Sequence, residues 1–254
     1  MPESNFTMTV EGHGPARDIA VRVRDGAGPP VVWLGGFRSD MNATKATAID
    51  AWAEQEGRRF VRFDYAGHGV SGGTFEDYVM SSWLADARAV IDAHAGEAPV
   101  LVGSSMGGWV ACLVARERAR QGKRTAGLVL IAPALDFTEE LIWAGLDDAQ
   151  KQAMQAKGRI AVPSEYDPRP TVFTMALIED GRSNLMLDGP VDLGCPVHIL
   201  QGGRDPDVPS AHAFRLLERL PAEDTVLTLI ADGDHRLSRP QDIARLVAAV
   251  AGIA

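Results

Sequence analysis

Apolar and polar residues alternate through residues 6–10 and again through 18–24, and the stretch between them, Glu11-Gly12-His13-Gly14-Pro15, is rich in turn formers. Period-two alternation on both sides of such a stretch predicts a β-hairpin. Four later runs are apolar at nearly every position: 30–34, 98–102, 127–131 and 196–200. Short continuous runs of this kind predict strands buried on both faces. Residues 59–64 and 225–230 read as two further strands. The spacing between strands is helical over 43–56, 78–94, 108–115, 209–220 and 240–250. In the second of these, Val79/Met80, Trp83/Leu84, Ala87 and Val90/Ile91 recur every three to four positions. Strands alternating with helices predict an α/β fold: a mostly parallel sheet covered by helices on both faces, with an antiparallel hairpin at its N-terminal end.

The rhythm breaks after 133 and returns near 190. Only short pieces, 139–146 and 172–179, stand out in between. A long irregular insertion between two sheet strands is usually functional. Its apolar residues, among them Ile142, Trp143, Phe173, Met175, Leu177 and Met186, suggest a small lid over 134–190 within one domain spanning 1–254. The alternative is that they only pack the insertion onto the core.

Composition narrows the class of partner. The chain has 254 residues, 46% of them hydrophobic, enough for one sizeable core, and its net charge of −9 argues against nucleic acid or an anionic membrane as the main partner. No apolar run is long enough to span a membrane. The two cysteines, Cys112 in the apolar helix and Cys195 before a strand, show neither metal-ligand nor disulfide spacing. With no basic flank and apolar stretch at the N-terminus, a reduced, cytoplasmic protein is expected.

Candidate chemistry centres on Gly103-Ser104-Ser105-Met106-Gly107, set between a predicted strand and a predicted helix. Gly-x-Ser-x-Gly in that context is the nucleophile-elbow pattern, in which Ser105 sits on a sharp turn with Oγ exposed. A serine hydroxyl needs a base within reach, itself oriented by a third group. With an elbow serine these partners come in the order serine, acid, histidine, each on a loop after a later strand. The loop after 197–200 carries Asp205, with Asp207 and Asp136 as rivals for the acid, and the loop after 225–230 carries His235. An oxyanion intermediate needs two N–H donors, each worth ~2.7–4 kcal/mol where one has been removed from a comparable enzyme. Met106, after the nucleophile, supplies one, and Gly35-Gly36-Phe37-Arg38 supplies the other, Phe37 being the best candidate.

Gly67-His68-Gly69-Val70-Ser71-Gly72 matches G-x-G-x-x-G, a dinucleotide fingerprint that would point to a nucleotide-dependent oxidoreductase. Five residues separate it from the next helical pattern, however, and a dinucleotide site needs the helix to open directly from the glycines. His68 therefore reads as a structural turn residue. Arg38 and Arg236 flank site residues and could attract an anionic leaving group, or be solvated surface arginines.

Together these residues resemble the α/β-hydrolase family. Phe63-Asp64-Tyr65-Ala66-Gly67-His68-Gly69-Val70-Ser71 looks like its loop after strand four. Gly36-Phe37, Met41-Asn42-Ala43-Thr44-Lys45-Ala46, Gly103 to Trp109, Pro163-Ser164-Glu165-Tyr166, Cys195-Pro196 and Asp234-His235-Arg236 are similar to the mitochondrial palmitoyl-thioesterase and acyl-glucuronide-esterase type. The likeness departs from the wider family at Gly35-Gly36 and Gln201-Gly202, where His-Gly is common. What it implies is hydrolysis of acyl thioesters or activated acyl esters, small or protein-linked, by Ser105, Asp205 and His235, with no metal or organic cofactor. Arg38, Trp143 and Phe173 are the expected substrate contacts. A non-hydrolytic use of the same fold, as a cofactor-free haloperoxidase or a silent binding protein, is the alternative.

Overall fold

The computed structural model describes residues 2–163, 170–221 and 223–254. The N-terminal hairpin pairs β1 (Glu3–Val10) with β2 (Arg17–Arg24), and β3 (Ala27–Leu34), α1 (Thr44–Gln55) and β4 (Arg58–Phe63) follow. Then come α2 (Met80–His94), β5 (Val100–Ser104), α3 (Met106–Arg120) and β6 (Gly127–Ile131). After the insertion the chain continues through β9 (Val197–Gly202), α6 (Ser210–Arg219), β10 (Thr225–Ile230) and α7 (Pro240–Ile253). The large sheet has the order β1-β2-β4-β3-β5-β6-β9-β10. β2 runs antiparallel to β1 and to β4, and all other neighbours are parallel. This is the mostly parallel, helix-covered sheet with an N-terminal antiparallel hairpin expected from the alternation of strand and helix patterns, and the α/β-hydrolase fold that the resemblance implies.

The central strands show why their sequences are apolar throughout. Every residue of β5 and β6 is buried. The two-residue period divides them between two cores. Val32, Leu101, Leu128 and Leu130 pack with Trp83 of α2 and Trp109 of α3 on one face. Val31, Trp33, Val100, Val102, Val129 and Ile131 pack with Ile49 of α1 and Leu246 of α7 on the other. A buried ion pair, Arg17 with Asp86, ties the hairpin to α2.

The helices differ from the sequence reading mainly at their ends. α3 runs on past Ala115 to Arg120, because its last turns carry polar residues that continue the helix without an apolar signal. The insertion is more regular than expected. It contains a π-helical turn (Thr138–Trp143), α4 (Asp148–Lys157), a hairpin of β7 (Arg159–Val162) with β8 (Thr171–Thr174), and α5 (Met175–Arg182). The expected piece 172–179 is therefore a strand that becomes a helix, with Thr174 capping α5 by accepting the Leu177 N–H. Ser164, Glu165 and Tyr166, part of the resemblance above, lie outside the described residues. Asp136 fastens the return of the insertion to the sheet by accepting the N–H groups of Met186 and Leu187.

Candidate active site

Ser105 stands between β5 and α3 at φ 53° and ψ −118°, a backbone conformation rare for a side-chain-bearing residue. Hydrogen bonds hold it there. Its N–H donates to Ile131 O at 2.9 Å, and its carbonyl accepts from Gly108 at 2.9 Å and Ala134 at 3.1 Å. The flanking glycines are a steric requirement. A Cβ on Gly103 would lie 2.3 Å from Gly107 O, and one on Gly107 would lie 2.0 Å from Leu34 O.

His235 Nε2 lies 3.1 Å from Ser105 Oγ, and His235 Nδ1 lies 2.8 Å from Asp205 Oδ2. A carboxylate can only accept, so Nδ1 carries the proton and Nε2 faces the hydroxyl as an acceptor. The Asp205 side chain is fully buried, while that of His235 keeps 16% of its surface. Burial of a carboxylate is tolerated here because donors saturate it. Oδ1 accepts the N–H groups of Asp207 (2.9 Å) and Val208 (2.8 Å), and Oδ2 accepts Gln201 Nε2 (3.2 Å) beside His235. Of the two rivals, Asp136 is committed to the insertion and Asp207 lends Asp205 its amide. Asp205, Asp207 and His235 form the one group of three among the described residues whose donor atoms, within 4.8 Å of one another, could hold a cation. Two of its members are already bonded to each other.

The histidine loop is pinned from outside. Asp234 Oδ1 accepts the Leu237 N–H, and Lys45 Nζ donates to Arg236 O. Burial, reinforced by the Arg236 guanidinium, pushes the Lys45 ammonium down to about 8, against the pull of Asp234 and Asp205. No sequence signal singled out Lys45, since it needs the α1 N-terminus and the His235 loop, 191 positions apart, to meet.

The loop after β3 lies against the nucleophile: a Cβ on Gly36 would sit 3.4 Å from Ser105 Cβ. Neither the Phe37 nor the Met106 N–H has a hydrogen-bond partner among the described residues. The amide of Met106 is unpaired because the first turn of a helix has no intrahelical acceptor for it. The Phe37 ring meets Phe75 (4.8 Å), Phe173 (5.5 Å), Phe137 (5.7 Å) and Trp83 (5.8 Å), so an apolar wall surrounds one side of the site. Phe173, on β8, stacks on Phe37 at 22° and joins the insertion to this wall. Trp143 packs instead within the insertion's own cluster beside Leu146, Met154 and Ile178, with Lys151 and Arg182 over its ring. The Arg38 side chain pairs with Glu76 at 2.9 Å and lies over Phe75.

The glycine-rich loop 67–72 wraps round Asp64, whose carboxylate accepts the N–H groups of Met41 and Val70. A 3-10 turn (Phe75–Asp77) follows, and α2 begins only at Met80. The glycines therefore open no helix onto a pyrophosphate, in line with the sequence reading.

The model of the Alpha/beta hydrolase family matches residues 31–246. Human mitochondrial palmitoyl-protein thioesterase ABHD10 is 30% identical over 231 residues, which is 91% of this chain and 74% of that protein. A crystallised protein of Agrobacterium vitis S4 superposes with a TM-score of 0.96 at 49% identity over 100% of this chain and 99% of its own. The mouse ABHD10 structure gives 0.86 at 26% identity over 97% of both chains. With most of its length matched by the family model and the elbow, acid and histidine loops in family order, this chain belongs to the alpha/beta hydrolase family.

Proposed function

We propose that this protein is a serine hydrolase of acyl esters and acyl thioesters. His235 Nε2 takes the Ser105 proton as Oγ attacks the acyl carbonyl. Asp205 holds the imidazole in the Nδ1–H tautomer and stabilises the imidazolium that forms. The Phe37 and Met106 N–H groups receive the developing oxyanion, helped at Met106 by the N-terminal end of α3. His235 then gives its proton to the leaving group, the alcohol or thiol departs, and the acyl group remains on Ser105. Water, deprotonated by the same imidazole, attacks the acyl-enzyme, and as the Oγ–acyl bond breaks His235 returns that proton to Ser105 Oγ and the acid leaves. Every proton in the cycle has a carrier among these side chains.

The observation that carries this reading is the unbroken chain from Ser105 Oγ through both nitrogens of His235 to a buried, fully donated carboxylate. The substrate class rests on two supports. The relatives named palmitoyl-protein thioesterase suggest acyl thioesters. The aromatic wall round Phe37 suits an apolar acyl chain over a charged one. We assign Phe173 to that wall as a substrate contact. Arg38 acts at the rim, where its charge is already shared with Glu76.

Rates across aryl esters, acyl thioesters and acyl glucuronides of increasing chain length test the reading. Ser105-dependent turnover that rises with acyl length and includes thioesters is expected. Turnover confined to short, charged acyl groups would contradict the proposed substrate class.

A further inference from the structure

The residues after β3 form a turn in which Ser39 N–H donates to Gly36 O at 3.1 Å. Its second corner, Arg38, has φ 56°, whereas Phe37 stays on the negative side. That combination is the type II pattern, which ordinarily places glycine or asparagine at the second corner. An arginine there is disfavoured relative to a right-handed conformation. Something outside the turn must hold it.

His68 meets that need. Its Nε2 accepts the Arg38 N–H at 3.2 Å, and its Nδ1 donates to Ala66 O at 3.0 Å. The N–H of the peptide between the two corners points one way in a type II turn and the opposite way in a type I turn. An acceptor placed on this side therefore selects the observed form. The anchor behind His68 is itself fixed: Ala66 O also accepts Trp83 Nε1, and Ala66 N–H donates to Asp86 Oδ2. The ring is 3% exposed and lies edge-on to Phe75 and Trp83, two of the rings that also contact Phe37. Burial, opposed by the Ala66 carbonyl and aided by the Arg38 charge, pushes its pKa down to about 4, so Nε2 remains an acceptor near neutral pH.

We propose that His68 is a positioning residue for the oxyanion site: through Nε2 it locks the Gly36–Ser39 turn in the form that fixes the Phe37 amide beside Ser105. The proposal rests on the serine-hydrolase reading. It follows from the small tolerance of such a donor, which must lie about 2.7–3.1 Å from the developing oxyanion. Without the Nε2 acceptor the turn relaxes toward a right-handed Arg38, and Phe37 moves with it.

The test compares wild type with His68→Phe, His68→Gln and the double variant His68→Phe/Arg38→Gly on a p-nitrophenyl medium-chain ester. Phenylalanine keeps the ring packing and removes the acceptor, whereas glutamine restores an acceptor near the Nε2 position. The expected result is a loss of about 10- to 100-fold in kcat for His68→Phe, with KM within about threefold. His68→Gln should recover most of that loss. The double variant should exceed His68→Phe in kcat, because glycine adopts the left-handed corner unaided. A His68→Phe kcat within twofold of wild type, or equal losses in the Phe and Gln variants, would overturn the proposal. Should the phenylalanine variant fail to fold, nitrogen NMR of the wild-type imidazole decides: the proton belongs on Nδ1, and finding it on Nε2 rules out the latch. Ser105→Ala run in parallel separates the two ideas. Turnover that survives that change rejects the hydrolase reading, whereas turnover lost there but kept in His68→Phe rejects only the latch.

Discussion

Gln201 Nε2 donates to Asp205 Oδ2, the same carboxylate oxygen that accepts the His235 Nδ1 proton. The amide nitrogen also faces Gly202 O and Val208 O, so acceptors surround it and its orientation follows from chemistry. At the other end Gln201 Oε1 is buried without a partner among the described residues. Such an orphan costs about 1–3 kcal/mol, offset here by what the nitrogen holds in place. Gln201→Leu removes the orphan but leaves Val208 O without its donor and Asp205 with one fewer. Urea midpoints should report little net change in stability, while steady-state kinetics should give a kcat lower by about tenfold, near 1.4 kcal/mol, at similar KM. Unchanged kcat would show that Asp205 needs no support from Gln201.

Asp205→Asn tests the acid itself. The amide keeps the shape of the carboxylate but can present a donor to His235, favouring the wrong tautomer. By analogy with the Asp-to-Asn change in a serine protease, kcat should fall about 10⁴-fold with little change in KM. The same substitution at Asp207, which gives Asp205 its backbone N–H, should leave kcat within about threefold. Comparable losses at the two positions would mean that the acid has been misassigned.

Gly107→Ala probes the elbow. Its new Cβ would stand 2.0 Å from Leu34 O and 2.5 Å from Gly35 O, backbone atoms that cannot move without shifting β3 and the loop beside Ser105. Chemical denaturation should show a loss of about 2–3 kcal/mol, with activity falling further than the unfolded fraction explains. A variant as stable as wild type would mean that the elbow is looser than these distances allow.

His68 also predisposes the fold to acid. Its folded pKa of about 4 lies below the ordinary 6.5, so in acid the unfolded chain takes up a proton that the native state refuses. Its contribution is therefore complete above pH ~6.5 and is lost as the pH falls toward ~4, the loss amounting to about 2–3 kcal/mol by pH ~4.5. His94, His198 and His212, also lowered chiefly by burial, act in the same direction. Urea midpoints at neutral and acid pH should fall more steeply for wild type than for His68→Gln. Parallel profiles for the two proteins would contradict a buried neutral imidazole.

The sequence made the sheet legible because β5, β6 and β9 are apolar on both faces, a pattern few other elements produce. The Ser105 elbow was legible for a different reason: glycine is required two positions either side of it, and its partners must follow later strands. The insertion was harder. α4 does carry its own boundaries, an Asp147–Gln150 capping box and Gly158 in the left-handed conformation at its end, but little of its surface is buried. An apolar stripe is thus missing, and periodicity cannot reveal the helix. β7 and β8 are only half-buried or exposed, so their alternation is faint. His68, Lys45 and Gln201 were not legible as site residues, because each acts on a backbone or side-chain atom brought to it by the fold. The sequence did set aside the nucleotide motif around His68 and mark it as a turn residue, but which backbone amide its ring accepts depends on where the fold brings the loop after β3.

The central claim, that Ser105 carries the acyl group, is tested most directly by fluorophosphonate labelling with peptide mapping, alongside turnover of wild type and Ser105→Ala. Wild-type protein should gain one adduct, on the peptide containing Ser105, and lose activity in step with labelling. Ser105→Ala should take up no label and lose at least about 10⁴-fold in kcat. Labelling at another residue, or hydrolysis undiminished in Ser105→Ala, would contradict the account.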